Sequence, residues 1–118
     1  MKIQDYKDLI VWERSIELVI AVYELTDSFP KIELYGLASQ MRRAAISVPS
    51  NIAEGSRRGS RKDFRHFLLN SFGSGAELEN QIEIAKRLPF GAKLDYGKVS
   101  RLMDEVMRML NRMISNLQ

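Results

Sequence analysis

The sequence predicts an all-α protein, an antiparallel up-down four-helix bundle with a Pro-kinked second helix. Three observations carry that prediction. Four stretches repeat apolar residues at alternating four-and-three spacing, the period of one helix face. No strand-like alternation persists anywhere in the 118 residues. The breaks between the stretches are short and rich in Pro, Gly and Ser, which suits neighbouring helices joined by tight connections. A chain of this length fits one domain over residues 1–118 and buries about two-thirds of its unfolded surface, so it needs no disulfide or metal to fold.

Helix one should run from about Asp8 to Asp27. One apolar stripe is Leu9, Trp12, Ile16, Val19, Ile20 and Tyr23, and a second is Val11, Leu18, Val22 and Leu25. At about 100° per residue the two cover roughly 220° of the circumference, about twice what a surface helix needs. Two readings stand. Either helix one has neighbours on two sides within the monomer, or the Val11 to Leu25 stripe is a subunit interface. Ser28-Phe29-Pro30 ends the helix, because the residue before a proline avoids the α region.

Helix two should run from about Glu33 to Arg57, with a seam of Leu34, Ala38, Met41, Ala45, Val48 and Ile52. Gly36 near its start leaves room for a close backbone approach. Pro49 falls one residue after a seam position. It lacks an N–H and crowds the Ala45 carbonyl, at a cost of about 3 kcal/mol in a helix interior. The seam keeps its phase across Pro49, which predicts a kink, with Ser47 and Ser50 near enough to help satisfy the freed carbonyl. The rival reading is a stop at Val48 and a restart, with Asn51 as N-cap and Glu54 closing a capping box.

Gly55 and Gly59 bracket the exit, and Ser60 with Asp63 caps helix three, which should reach Arg87 and stop before Pro89. Its seam is Phe64, Leu68, Ser71, Gly75, Leu78, Ile82 and Ala85. The run NSFGSGA costs about 2–3 kcal/mol of helix propensity relative to alanine. That cost makes sense if another helix passes very close, and the kinked part of helix two is the candidate. A loop splitting helix three is the alternative. Pro89 to Leu94 is a connector, and Asp95 is the expected N-cap of helix four. There Val99, Met103, Val106, Leu110, Met113 and Leu117 form the seam, with Leu102 and Met109 beside it. Met103, Met107, Met109 and Met113 read as adaptable core packing, with a ligand groove as the competing reading.

The run YGLASQMRRAAISVPSNIAEGSRRGSRKDFRHFL, followed by ELENQIEIAKRL, resembles the four-helix bundle proteins encoded by intervening sequences within bacterial 23S ribosomal RNA genes. The opening YKDLIVWERSIELVIAVYELTDSFP fits their first helix. The most specific part is R-R-A-A-x-S-x-P-S-N-I-A-E-G, here Arg42 to Gly55, and the likeness extends from Tyr6 to about Leu117. NSFGSGA departs from the more helix-friendly residues of that family. The resemblance implies an up-down bundle that assembles as a ring-like homopentamer. A related branch, the accessory protein of diversity-generating retroelements, implies a basic pentamer that binds nucleic acid and a reverse transcriptase. For the ribosomal-gene branch the resemblance implies no biochemical activity.

Composition bounds the chemistry. There is no cysteine, which fits a reducing cytoplasm and excludes thiol catalysis and thiolate metal sites. The opening MKIQDYKDL lacks the apolar core of a signal peptide, and no apolar run approaches the roughly 20 residues of a membrane span, so no membrane role is expected. The formal net charge of +3 allows anionic partners without demanding them.

The densest charge is Arg42, Arg43, Arg57, Arg58, Arg61, Lys62 and Arg65, against only Glu54 and Asp63 in the same stretch. Arginine offers a planar fork of donors matched to phosphate oxygens, Gly55 and Gly59 would expose backbone N–H groups, and the start of helix three adds partial positive charge. These seven cations are the candidate nucleic-acid-binding residues, for RNA or DNA. Phe64 and Phe67 look committed to core, so binding should be led by the backbone. The competing function is a protein–protein module whose basic turn pairs with acidic side chains, including those of a neighbouring subunit. An enzyme is not expected. His66 is the only histidine, Asp63-x-x-His66 is half of a di-iron motif, and there is no GxxxxGK[ST]. No catalytic residue, metal or cofactor is predicted.

Overall fold

A computed structural model of the chain describes residues 5–118. Four helices follow in order: α1 (Ile10–Asp27), α2 (Leu37–Arg57), α3 (Arg61–Arg87) and α4 (Gly97–Asn116), with short 3-10 turns at Tyr6–Asp8 and Lys31–Glu33. No strand occurs among the described residues. α1 packs on α2 and α4, and α3 packs on α2 and α4, with the α2–α3 pair the most extensive. The molecule measures 47 × 22 × 20 Å, and its long axis suits α3, whose 27 residues span about 40 Å at about 1.5 Å per residue.

α1 starts later than Asp8 because the preceding turn has its own cap. Asp5 accepts from the Lys7 N–H at 3.0 Å, and Leu9 is extended before the helix begins. The stripe of Val11, Leu18, Val22 and Leu25 is buried in the chain's own core. Of the two readings this is the one with neighbours on two sides within the monomer, since α2 and α4 cover the stripe and leave it no subunit interface to form. The other stripe is the one left at the surface. Trp12, Ile16 and Val19 are half-buried, while Ile20 and Tyr23 keep 54% and 41% of their surface exposed. Arg14 fastens α1 to α4, with Nε donating to Glu105 Oε1 at 2.7 Å and Nη1 meeting Glu17 at 2.8 Å.

α2 begins at Leu37, not Glu33. Lys31–Glu33 closes a separate turn, and Glu33 Oε1 accepts from the Leu37 N–H at 3.1 Å, which caps the helix from outside. Leu34, expected on the seam, is therefore exposed. The helix then runs uninterrupted through Pro49, so the stop at Val48 and restart at Asn51 do not occur. Asn51 Nδ2 donates to the Ser47 carbonyl at 2.8 Å, an in-helix bond and not a cap. Ser47 Oγ turns across to Ser74 Oγ at 2.8 Å and does not turn to the Ala45 carbonyl.

α3 is unbroken, and Ser60 caps it as predicted by accepting from the Asp63 N–H at 3.1 Å. The small residues of NSFGSGA divide their duties. Buried Ser71 donates to the Val48 carbonyl of α2 at 2.8 Å, and Ser74 meets Ser47, as the close approach of helix two requires. Gly75 differs, because the space its Cβ would take is filled by Met107 of α4. A Cβ on Gly73 would meet nothing within 4 Å.

α4 begins after Tyr96, one residue later than an Asp95 cap implies, yet Asp95 Oδ1 still accepts from the Gly97 N–H at 2.9 Å. The Tyr96 hydroxyl donates to the Gly91 carbonyl at 2.8 Å, and burial raises its pKa, so the phenol keeps the proton this bond needs. Met103 is buried, and Met107, Met109 and Met113 pack against the same core. They serve as packing, and Met103 also borders a shallow groove with Glu79, Ile82, Glu83, Lys86, Ser100 and Asp104.

Gly73 and Gly55 give opposite expected outcomes. Gly73→Ala should stabilise by about 1 kcal/mol through helix propensity alone. A Cβ on Gly55 would lie 2.6 Å from Phe67 Cβ, an atom that cannot swing aside. Gly55→Ala should therefore destabilise by about 1 kcal/mol or more despite its better propensity. Urea unfolding midpoints of the two variants check both signs.

Candidate nucleic-acid interface

The turn between α2 and α3 is built by three local devices. The Arg58 N–H bonds back to the Gly55 carbonyl at 3.2 Å, closing α2. Gly59 then takes φ +87°, a left-handed conformation that a side chain would resist. Ser60 opens α3 at once. Gly55 does not expose its N–H as expected, since it is buried within α2 against Phe64 and Phe67.

Five of the seven predicted cations gather at this end. Arg57 lies over the Tyr6 ring at 5.4 Å. Arg58 is matched by Glu54 at 2.6 Å and covers the half-buried Phe67 ring at 4.9 Å. Arg61 Nη2 donates to the Asn116 carbonyl, and Arg65 Nε to the Ile114 carbonyl, each at 3.2 Å. Lys62 is exposed. The two arginines on α3 thus grip the C-terminal carbonyls of α4, where the helix dipole favours cations. Among the described residues, none of Arg57, Arg61, Lys62 and Arg65 forms an ion pair with a carboxylate.

Arg42 and Arg43 do not join them. About 15 residues of helix separate Arg42 from Arg57, or about 22 Å. Arg42 Nε donates to Thr26 Oγ1 at 2.8 Å, its guanidinium lies 4.5 Å over the Tyr23 ring, and Asp27 is 3.6 Å away. It ties α2 to the end of α1. Arg43 is exposed beside a polar groove between α2 and α3 that also involves Ser47, Ser74 and Glu77. The predicted cluster is therefore two separate groups, because a continuous helix carries its first and last turns to different places.

Sequence reasoning missed part of the wall. Arg61, Lys62 and Arg65 line an open groove of 580 Å³ together with His66, Leu69 and the end of α4. Arg61, Arg65 and Leu69 recur at four-residue spacing, as do Lys62 and His66, so one face of α3 carries all five. That periodicity was the available signal. Among the described residues no three His, Asp or Glu side chains come together as a metal site. No described helix is long and apolar enough to cross a membrane.

The family profile described as 23S rRNA-intervening sequence protein matches residues 7–112 of the chain. No curated protein matches it at a meaningful level of similarity.

The division of the cations has a measurable consequence. Arg42→Ala removes a half-buried hydrogen bond and a cation–π contact, and should cost about 1–2 kcal/mol of stability. Lys62→Ala, at an exposed position, should change stability by less than about 0.5 kcal/mol. Thermal or urea unfolding of the two variants makes the comparison.

Proposed function

The chain belongs to the 23S rRNA-intervening sequence protein family, and we propose that it acts as a non-enzymatic, oligomeric adaptor binding RNA or DNA through the phosphate backbone. The observation that carries this reading is the charge at the α2–α3 turn. Arg58 is neutralised by Glu54, but Arg57, Arg61, Lys62 and Arg65 lie together with no carboxylate partner among the described residues. Arg61 and Arg65 are held by backbone carbonyls, which orient the guanidinium and leave its net charge for a phosphate. Such contacts position a strand without reading its sequence.

In this reading the bundle is up-down and antiparallel, bends at Pro49, and assembles as a cytoplasmic homopentamer with a reverse transcriptase as a further partner. Support for self-association comes from α1 and α2. Ile20, Tyr23 and Ile46 are exposed there, beside a 270 Å³ groove lined by Trp12, Ile16, Val19 and Pro49. Apolar surface of this kind on neighbouring helices marks association sites. The rival reading, a protein–protein module that uses its arginines to pair with acids, is favoured by Arg58–Glu54 and Arg42–Asp27.

Two experiments test these readings, and the second separates them. Light scattering coupled to gel filtration should give a multiple of the 13.6 kDa chain mass, and Ile20→Glu should reduce it. A wild-type monomer would remove the oligomeric part of the proposal. Separately, RNA binding should be tight at low salt. Replacing Arg57, Arg61 and Lys62 together by glutamine should weaken it about equally for every sequence and lower the slope of log affinity against log salt by about 2–3. If the variant loses its oligomer instead, the turn pairs subunits and the protein–protein reading holds.

A further inference from the structure

We propose that the groove between the first turns of α3 and the end of α4 receives an unstacked nucleobase, so that the protein takes single-stranded RNA or DNA in preference to duplex. This rests on the backbone-binding reading and adds a base subsite to it. The groove is larger and less uniform than a phosphate track requires. It offers about 580 Å³ open to solvent, room for a base beside a phosphate.

Its walls differ in chemistry. Arg61, Lys62 and Arg65 are cationic, while His66, Leu69 and Leu117 present an imidazole ring and aliphatic carbon. Leu69 stays 43% exposed at this place. A leucine and a flat ring facing water beside three cations match a ligand that is apolar in one part and anionic in the next. A nucleotide is built that way, with a base face that stacks on imidazole or aliphatic surface and a phosphate one sugar away.

The groove is also held in shape from behind. The Arg61 and Arg65 guanidinium groups are fixed on the Asn116 and Ile114 carbonyls, leaving their remaining N–H groups for the ligand. The His66 ring stands edge-on to Phe67, with centroids 5.5 Å apart and planes at 79°. Arg58, spent on Glu54, covers the same Phe67 ring at 4.9 Å. A duplex keeps its bases in the stack and can offer this groove only phosphates, unless a base is flipped out at an energetic cost. A single strand has bases free to enter.

Fluorescence anisotropy at low salt, with three ligands of equal length, tests this on the wild-type protein: an oligouridylate, an abasic ribose-phosphate strand, and a duplex RNA. The oligouridylate should bind about tenfold or more tightly than the abasic strand, as expected for at least one stacked base. The duplex should also bind more weakly than the single strand. His66→Ala combined with Leu69→Gln changes two exposed side chains and should bring the oligouridylate down to the abasic strand, with the salt slope unchanged. If wild type binds all three ligands alike with a steep salt slope, the backbone reading stands and the base subsite is refuted. Persistence of the base preference in the double variant would also refute the subsite, since the base then sits elsewhere. If no ligand binds at low salt, both readings fall.

Discussion

The hydrogen bond from Ser71 Oγ to the Val48 carbonyl, at 2.8 Å and fully buried, sets the distance between α2 and α3 on which the rest of the bundle depends. A side chain as short as serine can reach another helix's backbone only if the two axes lie close. Neighbouring residues are correspondingly small. Ser47 faces Ser74 one helical turn away, and Gly55 leaves its Cβ space to the Phe67 stem. The backbone there is a poor helix former by propensity, and tertiary packing overrides that preference. A larger residue at buried Ser71 or Gly55 would force α2 and α3 apart.

Charge at the α2–α3 end is governed by what each arginine touches more than by how many there are. Arg14, Arg42, Arg58, Arg87 and Arg108 each meet a carboxylate, so their fields are largely cancelled at short range. Arg61 and Arg65 meet carbonyl oxygens instead. The end of a helix carries only about half an elementary charge, so two guanidinium groups placed there remain a net positive centre. The unpaired charge of the basic turn therefore lies mostly on its α3 side, with Arg57 added from α2. The α2 arginines also pack, Arg57 on Tyr6 and Arg58 on Phe67.

Legibility in the sequence followed how local each signal is. α3 is readable to the residue, because Ser60 and Pro89 act on their own backbone and need no neighbours. The uninterrupted course of α2 is also readable, since the seam keeps phase through Pro49. The start of α2 is not. The Lys31–Glu33 turn and the reach of Glu33 to the Leu37 N–H depend on how the connector folds back. Which apolar stripe of α1 is covered was equally hidden, as both stripes share one period and only the placement of α2 and α4 decides between them. For the site, the cations were plain, but the sequence reading grouped all seven, although about 15 residues of one helix part Arg42 from Arg57. Backbone carbonyls carry no residue-type signature, so the role of Ile114 and Asn116 could not be read from the chain.

The apolar face and the basic groove are made by different parts of the bundle, and this matters for how they would work together. Trp12, Ile16, Ile46 and Pro49 belong to α1 and α2, whereas Lys62, His66 and Leu69 belong to the first turns of α3. Burying the first set against another molecule leaves the second set uncovered. Arg57 sits beside the apolar groove, because the Tyr6 ring beneath it lines that groove, while Arg61, Lys62 and Arg65 line the basic one. Association through α1 and α2 would desolvate that ring and strengthen the cation–π contact above it. It would thereby hold Arg57 at the edge of the interface while Arg61, Lys62 and Arg65 stay open to a strand. The two grooves share no lining residue, and Arg57, over Tyr6 at the α2–α3 turn, is the cation through which assembly and phosphate binding would be coupled.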